Sequence, residues 1–302
     1  MQNALASKIA MLRPAAFGFN SQTAGSNSFQ QVLDNTNAVH LKALAEFDAA
    51  VAEIRAAGVQ VELLHDQAEP PKPDAIFLNN WFSTHANGHL LLYPMLAPNR
   101  QLEVRPEHIA WLESRPAHHQ TIDLRLTAAS NQVLEGTGSI VFDHAHQLAV
   151  AVKSVRTSPE LLQEVAALLG YKALLLEAAD AQNREIYHTN VVMSISPRLA
   201  ICCFKALRDP DQAALLAALL QRNGRRVVPV SMDQMQSFCC NALVVQTTDG
   251  QPRTILSETA WNAFEAYQKL WITEVAEPLV LRIPTIESVG GGSVRCMLAE
   301  LW

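Results

Sequence analysis

Cys296 stands six residues before the end of the chain, after the run Gly290-Gly291-Gly292-Ser293-Val294-Arg295 and at the start of an apolar tail. Glycines let a backbone pass close to a ligand and adopt φ > 0. A thiol delivered in this way suits a nucleophile, although most cysteines are small buried hydrophobes. Thiol catalysis also needs an acid/base and a carboxylate or amide to orient it. The candidates are Glu135 in Leu134-Glu135-Gly136-Thr137-Gly138, His188 in Ile186-Tyr187-His188-Thr189-Asn190, and the amides Asn80 and Asn241. Asn80, Glu135, His188, Asn241 and Cys296 follow one another at separations of 55, 53, 53 and 55 residues. Taken singly, each has a plainer reading: a capped turn for Glu135, a strand edge for His188, turn positions for the two asparagines. Their shared phase is the signal, because in a ring of similar units equal positions meet at the axis. No Gly-x-Ser-x-Gly elbow supports a serine triad. The adjacent His118 and His119 would point to opposite faces of a strand, a poor chelate, and the other histidines lack ligand spacing. The sequence therefore predicts no metal and no cofactor.

The elements that would position these residues follow a repeated order of strand, strand, helix, strand. Ser139 to Phe142 and Gln147 to Val152 read as a hairpin. Ser158 and Pro159 then open a helix that Gly170 closes, and Lys172 to Leu176 returns as a strand. The same order appears in Val191 to Ile195, Ala200 to Phe204, a helix over about Asp211 to Arg222, and Arg226 to Val230. It appears again in Ala242 to Gln246, Arg253 to Leu256, a helix over about Glu258 to Leu270, and a strand near Trp271 to Val275. Ala75 to Leu78, Leu90 to Pro94 and a helix over Pro106 to Glu113 fit more loosely. Ile9 to Arg13, a helix from about Asn37 to Ala57 ended by Gly58, and Val59 to His65 make the first unit. Hairpins inside the units argue against a doubly wound parallel sheet. The expected fold is α/β: five ββαβ units around a pseudo-fivefold axis, forming a single domain over 1–302. An ordinary α+β domain with coincidental spacing is the competing reading.

Composition sets the context. The 302 residues are 49% apolar and 17% charged, enough for a substantial core. A net charge of −6, with no basic stretch interleaved with aromatics, argues against a nucleic-acid partner. The stretch Met1 to Arg13 lacks the apolar core and cleavage site of a signal peptide, and no window has the apolar length to span a bilayer. Cys202-Cys203, Cys239-Cys240 and Cys296 form neither a disulfide framework nor a zinc spacing. They suggest reduced thiols in a cytoplasmic protein.

These motifs resemble the guanidino-group-modifying enzymes, the superfamily of arginine deiminases, amidinotransferases, dimethylarginine hydrolases and succinylarginine dihydrolases. The resemblance spans the chain and rests on Phe77-Leu78-Asn79-Asn80, the Glu135 motif, His188-Thr189-Asn190 and the Gly290 to Cys296 run. It implies a five-bladed α/β propeller of the pentein type. By the same resemblance Cys296 is the nucleophile, His188 the general acid/base, Glu135 the carboxylate for guanidino or ureido nitrogens, and Phe77 an apolar wall. Deiminases of this superfamily usually carry Asp where this chain has Asn80 and Asn190. Paired carboxylates suit a guanidinium cation, whereas amides both donate and accept and suit a neutral ureido group. The segment Pro73 to His85, with Arg13-Pro14, Phe17 to Asn20, Ser154 to Thr157 and Gln234-Met235 with Asn241, looks most like the citrulline-utilisation hydrolases. The implied reaction is citrulline plus water to ornithine, carbon dioxide and ammonia. Asn20, Asn80, Asn190, Asn241 and Phe77 would line the substrate. Arg156, whose guanidinium fork fits a carboxylate, is the candidate for the substrate carboxylate.

Three functions remain open on the sequence. The first is the citrulline hydrolase. The second is an arginine dihydrolase or deiminase, or an amidinotransferase using the same thiol. The third is a non-catalytic propeller that binds an amino acid. The expected partner is a small amino-acid substrate, with no nucleic acid and no membrane; a homodimer is one assembly the sequence allows.

Overall fold

The computed structural model describes residues 5–27, 29–31, 36–129 and 131–302. Residues 1–4, part of the N-terminal stretch read above, lie outside them. Five sheets of three strands form the frame. The strands are β1 (Lys8–Arg13), β2 (Gln60–His65), β3 (Phe82–Thr84), β4 (His89–Leu92), β5 (Gln120–Asp123), β6 (Ile140–Asp143), β7 (Leu148–Val152) and β8 (Lys172–Leu176). They continue with β9 (Met193–Ile195), β10 (Leu199–Cys202), β11 (Arg226–Pro229), β12 (Leu243–Gln246), β13 (Pro252–Ser257), β14 (Glu277–Leu281) and β15 (Ala299–Leu301).

Each sheet repeats one pattern. The middle strand pairs antiparallel with one neighbour and parallel with the other, as in β6-β7-β8, where Val141 faces Val150 and Val150 faces Leu174. A helix makes the parallel crossover, because parallel neighbours cannot be joined by a tight turn. The crossover helices are α1 (Thr36–Ala56), α2 (Pro106–Glu113), α3 (Pro159–Leu169), α4 (Pro210–Arg222), and the pair α5 (Glu258–Ala263) and α6 (Ala266–Thr273). One sheet departs in connectivity: β15, just after Cys296, pairs antiparallel with β1, with Lys8 opposite Leu301. The first unit thus takes its third strand from the other end of the sequence.

Helix limits follow the caps. Ser158 accepts from Leu161 N at α3, with Pro159 in the first turn and Gly170 at φ 69° closing it. The apolar stripe Leu161, Leu162, Val165, Leu169 packs on Ala149 and Ala151 of its own sheet and on Leu91 of the preceding one. In the same way Leu216 and Leu220 of α4 join Ile201 and Val228 with Val150 and Val152, and Phe47 and Ile54 of α1 join Ile9 and Met11 with Val245 and Ile255. No described helix is long and apolar enough to cross a membrane. All five cysteines are free and buried.

Several segments differ from the sequence expectation. Ala75 to Leu78 is not a strand: turn bonds from Ala75 N to Lys72 O and Phe77 N to Asp74 O lead into a 3-10 turn at Leu78–Asn80. Residues 75–82 are all buried, so their apolar run carries no strand periodicity. The helix expected over Glu258 to Leu270 is two helices, parted where Phe264 and Glu265 extend and Glu265 with Gln268 caps a new start. Trp271 to Thr273 consequently ends α6, and the returning strand is β14, six residues beyond Trp271. The strands expected from Ser139 and from Val191 begin later, because one-turn helices at Gly136–Ser139 and Thr189–Val192 precede them.

Candidate active site

Those one-turn elements are what carry the chemistry. Leu78–Asn80 precedes β3, Gly136–Ser139 leads into β6, Thr189–Val192 into β9, and Val294–Met297 precedes β15. Asn80, Asn190 and Cys296 lie on such turns, Glu135 and His188 immediately before them, and Asn241 two residues before β12. A side chain at this point leaves the chain just before the backbone commits to the first strand of its sheet. The turns also touch. A Cβ on Gly138 would lie 2.7 Å from His188 Nδ1 and would overlap Asn80 Nδ2, so only glycine permits that approach.

Glu135, His188 and two arginines form a buried charged network. His188 Nε2 donates to Glu135 Oε2 at 2.8 Å, Arg156 NH1 reaches the same oxygen at 3.2 Å, and Leu96 N donates to Oε1 at 3.1 Å. Arg100 NH1 lies 3.9 Å from Glu135 and donates to Asn80 Oδ1 at 2.7 Å. Burial pushes the Glu135 carboxyl up, but Arg156, His188 and Arg100 outweigh it and hold the group well below the usual carboxylate range. Burial depresses His188 to about 4, against the pull of Glu135 and with Arg156 and Arg100 adding to the depression. The imidazole is therefore neutral near pH 7. A carboxylate only accepts, so Nε2 carries the proton and Nδ1 is the basic atom.

The thiol sits in neutral company. Asn190 Nδ2 approaches Cys296 Sγ at 3.5 Å and Asn241 Nδ2 at 3.3 Å, while Asn241 also donates to Asn190 O at 3.2 Å. Sγ in turn lies 3.7 Å from Asn241 Oδ1. No hydrogen bond joins His188 to Cys296 among the described residues. Cys296 is 5% exposed and its turn is held by Cys296 N to Ser293 O at 3.0 Å. Behind that turn, Ser293 Oγ donates to buried Glu287 at 2.5 Å, with Thr259 on the other carboxylate oxygen at 2.6 Å.

Several expected roles change on this geometry. Glu135, expected to hold substrate nitrogens, has both oxygens taken by His188, Arg156 and Leu96. Arg156 lies at the site, but its guanidinium is engaged by Glu135, by Ser26 Oγ at 2.6 Å and by Thr23 O at 3.3 Å, stacked 4.8 Å over Tyr187. It has the environment of a partner to Glu135 rather than an open fork for a carboxylate. The glycine run makes room for protein rather than for a ligand: a Cβ on Gly290 or Gly292 would press within 2.6 or 2.9 Å of Phe77. Phe77 is thus packed on the backbone that leads to the thiol. Asn20 bonds Asp74 at 2.8 Å and exchanges bonds with Asn99.

Sequence reading missed Asp74, Arg100 and Glu103. Asp74 is buried, accepts on Oδ2 from Asn20 and Thr23, and leaves Oδ1 without a partner. Arg100 is clamped by Glu103 through Nε at 2.9 Å and NH2 at 3.0 Å, and burial raises that carboxyl to about 7 against the pull of Arg100. Asp74 lies inside the motif read from Pro73 to His85, and a carboxylate among apolar residues was the available signal. Arg100 and Glu103 fall outside the repeat phase and gave none. Residues 20–27 and 29–31 lie over this region: Asn27 and Gln30 donate to the carbonyls of Gly290 and Gly291, and Gln31 N donates to Ser288 O at 2.8 Å.

Comparison with known proteins bears on the family and the fold. A family model described as N,N dimethylarginine dimethylhydrolase, eukaryotic, matches residues 13–302. The structure is similar to the substrate-bound N-terminal domain of ArgZ, a cyanobacterial arginine dihydrolase of the ornithine–ammonia cycle, with TM-score 0.74 and 17% identity over 96% of each chain. It is similar to AgrE in complex with ornithine and NAD+, with TM-score 0.75 and 16% identity, covering 98% of this chain and 39% of AgrE. Against full-length ArgZ the chain likewise spans 40% of the relative. A dimethylarginine hydrolase from Pseudomonas aeruginosa complexed with citrulline has TM-score 0.69 and 13% identity over 98% and 100% of the two chains. No curated protein matches the chain by sequence.

Proposed function

The chain belongs to the N,N-dimethylarginine dimethylhydrolase family, and from that premise we propose that it is a cysteine-dependent hydrolase of C–N bonds at the ureido or guanidino carbon of a free amino acid, with citrulline as substrate. The five sheets then stand as the blades of a single ring whose axis holds the site. The observation that carries the choice of citrulline is the pair of amides on the thiol, Asn190 and Asn241. A buried guanidinium needs a carboxylate partner. The carboxylate nearest in the network, Glu135, is already balanced by Arg156 and Arg100. Amides match the C=O and NH2 of a neutral ureido group without leaving a charge unpaired.

The residues divide the work as follows. The Cys296 sulfur attacks the ureido carbon while the Asn190 and Asn241 amides hold the group in place. His188 Nδ1 accepts the thiol proton, with its Nε2–H fixed by Glu135, and delivers it to the departing amine of ornithine. The C–N bond breaks and an S–C bond forms, leaving an S-carbamoyl enzyme. Water then attacks that carbon with His188 as base. The C–S bond breaks, the thiol regains a proton, and carbamic acid falls apart to carbon dioxide and ammonia. Asp74 Oδ1, buried and unpartnered, is the acceptor open to the substrate's α-ammonium group.

The deciding experiment incubates the protein with citrulline, arginine, agmatine and dimethylarginine and follows ornithine, citrulline, ammonia and dimethylamine. Ornithine from citrulline supports the proposal. Ornithine from arginine alone supports the dihydrolase reading. Binding of an amino acid without turnover of any of the four leaves a non-catalytic binding protein.

A further inference from the structure

A second space lies beside the thiol's amide partners, on the strand side of the site. It is a cavity of about 40 Å³ whose lining begins at Asn190, follows β9 through Ser194 to the turn at Ser196, and includes Val244 of β12 and Thr254 of β13. Asp143 and Glu300 add carboxylates to its wall. Three of its lining residues carry a buried polar atom without a hydrogen-bond partner, Asn190 Oδ1, Thr254 Oγ1 and Asp143 Oδ2. Asn190 and Thr254 are 1% and 0% exposed. Buried polar atoms are almost always paired, and an orphan costs about 1–3 kcal/mol. Unpaired atoms on three residues of one cavity call for a common explanation. A buried water needs roughly 10–15 Å³ and two to four polar partners. The cavity has room for two or three such molecules.

We propose that this cavity is a water-binding site, anchored by Asn190 Oδ1 and Thr254 Oγ1, that supplies the water for hydrolysis of the thiol-bound intermediate. Asn190 is the link, since its Nδ2 contacts Cys296 Sγ while its Oδ1 faces no protein donor. One amide can therefore hold the sulfur and a water at once. The step rests on the hydrolase reading above. Water oxygen bonds to the carbamoyl carbon, the C–S bond breaks, and one water proton returns to the sulfur through His188. None of residues 20–27 and 29–31, which overlie Gly290 and Gly291, lines the cavity. Substrate and water then reach the same carbon by different routes.

Two measurements test this. The first is a high-resolution crystal structure of the wild-type protein. An ordered water bonded to Asn190 Oδ1 and Thr254 Oγ1 is expected; a dry cavity overturns the proposal whatever the substrate proves to be. The second is a single-turnover experiment on Thr254→Val and Val244→Phe, with the thiol adduct followed by mass after acid quench. Thr254→Val removes a hydroxyl that no protein group uses, so it carries the test even where the bulkier variant fails to fold. Ornithine should form at the wild-type rate while adduct breakdown slows about tenfold, the effect of losing one hydrogen bond to the attacking water. Unchanged breakdown in a folded Thr254→Val overturns the proposal. Absence of turnover of citrulline, arginine, agmatine and dimethylarginine by the wild type would instead sink the hydrolase reading, and the crystal result alone would then decide the water site.

Discussion

Around Glu135 the side-chain partners are arginines and an imidazole, whereas around Cys296 they are amides. The two clusters are linked through His188 and Asn190, two residues apart in one turn, yet they handle charge oppositely. On the Glu135 side, opposite charges are buried together, which costs desolvation but fixes one geometry. That fixed network sets the tautomer and the orientation of His188. On the Cys296 side the hydrogen-bond partners among the described residues are neutral amides, so a neutral group can enter without losing an ionic partner. Under the function proposed above, the difference teaches that the charged cluster prepares the base and the amide cluster selects the substrate.

Replacing the thiol removes the second cluster's purpose and should have the largest effect. Cys296→Ala is expected to lower ornithine formation by at least about a thousandfold while leaving the melting temperature near that of wild type. Retention of full activity would mean the amides surround the wrong atom. Next comes Glu135→Gln, which leaves Arg156 short of a buried partner. It should cost about 3 kcal/mol of stability by denaturant unfolding and about a hundredfold or more in kcat. A loss of stability with unchanged kcat would reduce Glu135 to a purely structural anchor.

A sharper test moves charge from one cluster to the other. Asn241→Asp places a carboxylate beside the sulfur and should raise the ratio of kcat/KM for arginine over citrulline about tenfold. A ratio unmoved by this change would show that the amides do not choose between ureido and guanidinium. The smallest effect is in the pH profile. With His188 depressed to about 4, kcat/KM for citrulline should fall less than about twofold between pH 7 and 5.5. A midpoint near 6.5 would indicate that the charged cluster does not tune this ring. Stability carries the same sign. The folded value of His188 lies below its ordinary 6.5, so its contribution is fully present above 6.5 and is lost as pH falls towards about 4. Glu135, also depressed, loses its contribution below the ordinary carboxylate range.

Much of the frame was legible because hairpins and crossover helices carry local signals. Ser158, Pro159 and Gly170 mark both ends of α3, and the apolar stripe between them has one period. The spacing of Asn80, Glu135, His188, Asn241 and Cys296 was legible for a different reason, since repetition reveals phase even when each motif is weak. The one-turn helices at Gly136–Ser139 and Thr189–Val192 were not, because four residues are too few to show a 3.6-residue period. The break between α5 and α6 hid behind an apolar pattern that continues through Trp271, and only the Glu265–Gln268 cap marks it. The clamp of Glu103 on Arg100 was invisible for lack of any repeat partner, and the roles of Glu135 and Arg156 shifted because their mutual pairing is a tertiary fact.

The pairing of β15 with β1 has a consequence for how activity is acquired during folding. The turn bearing Cys296 ends one residue before β15, and β15 is held by a strand nearly three hundred positions earlier. Closing so long a loop is entropically costly, and contacts of this range form late. During synthesis the ribosome completes β1 and the strands of the other four sheets before the nucleophile's own strand exists. The imidazole and its carboxylate can therefore assemble first, and the reactive sulfur arrives last, as the final strand docks. Under the proposed function, a folding chain of this design gains activity only when β15 has docked on β1.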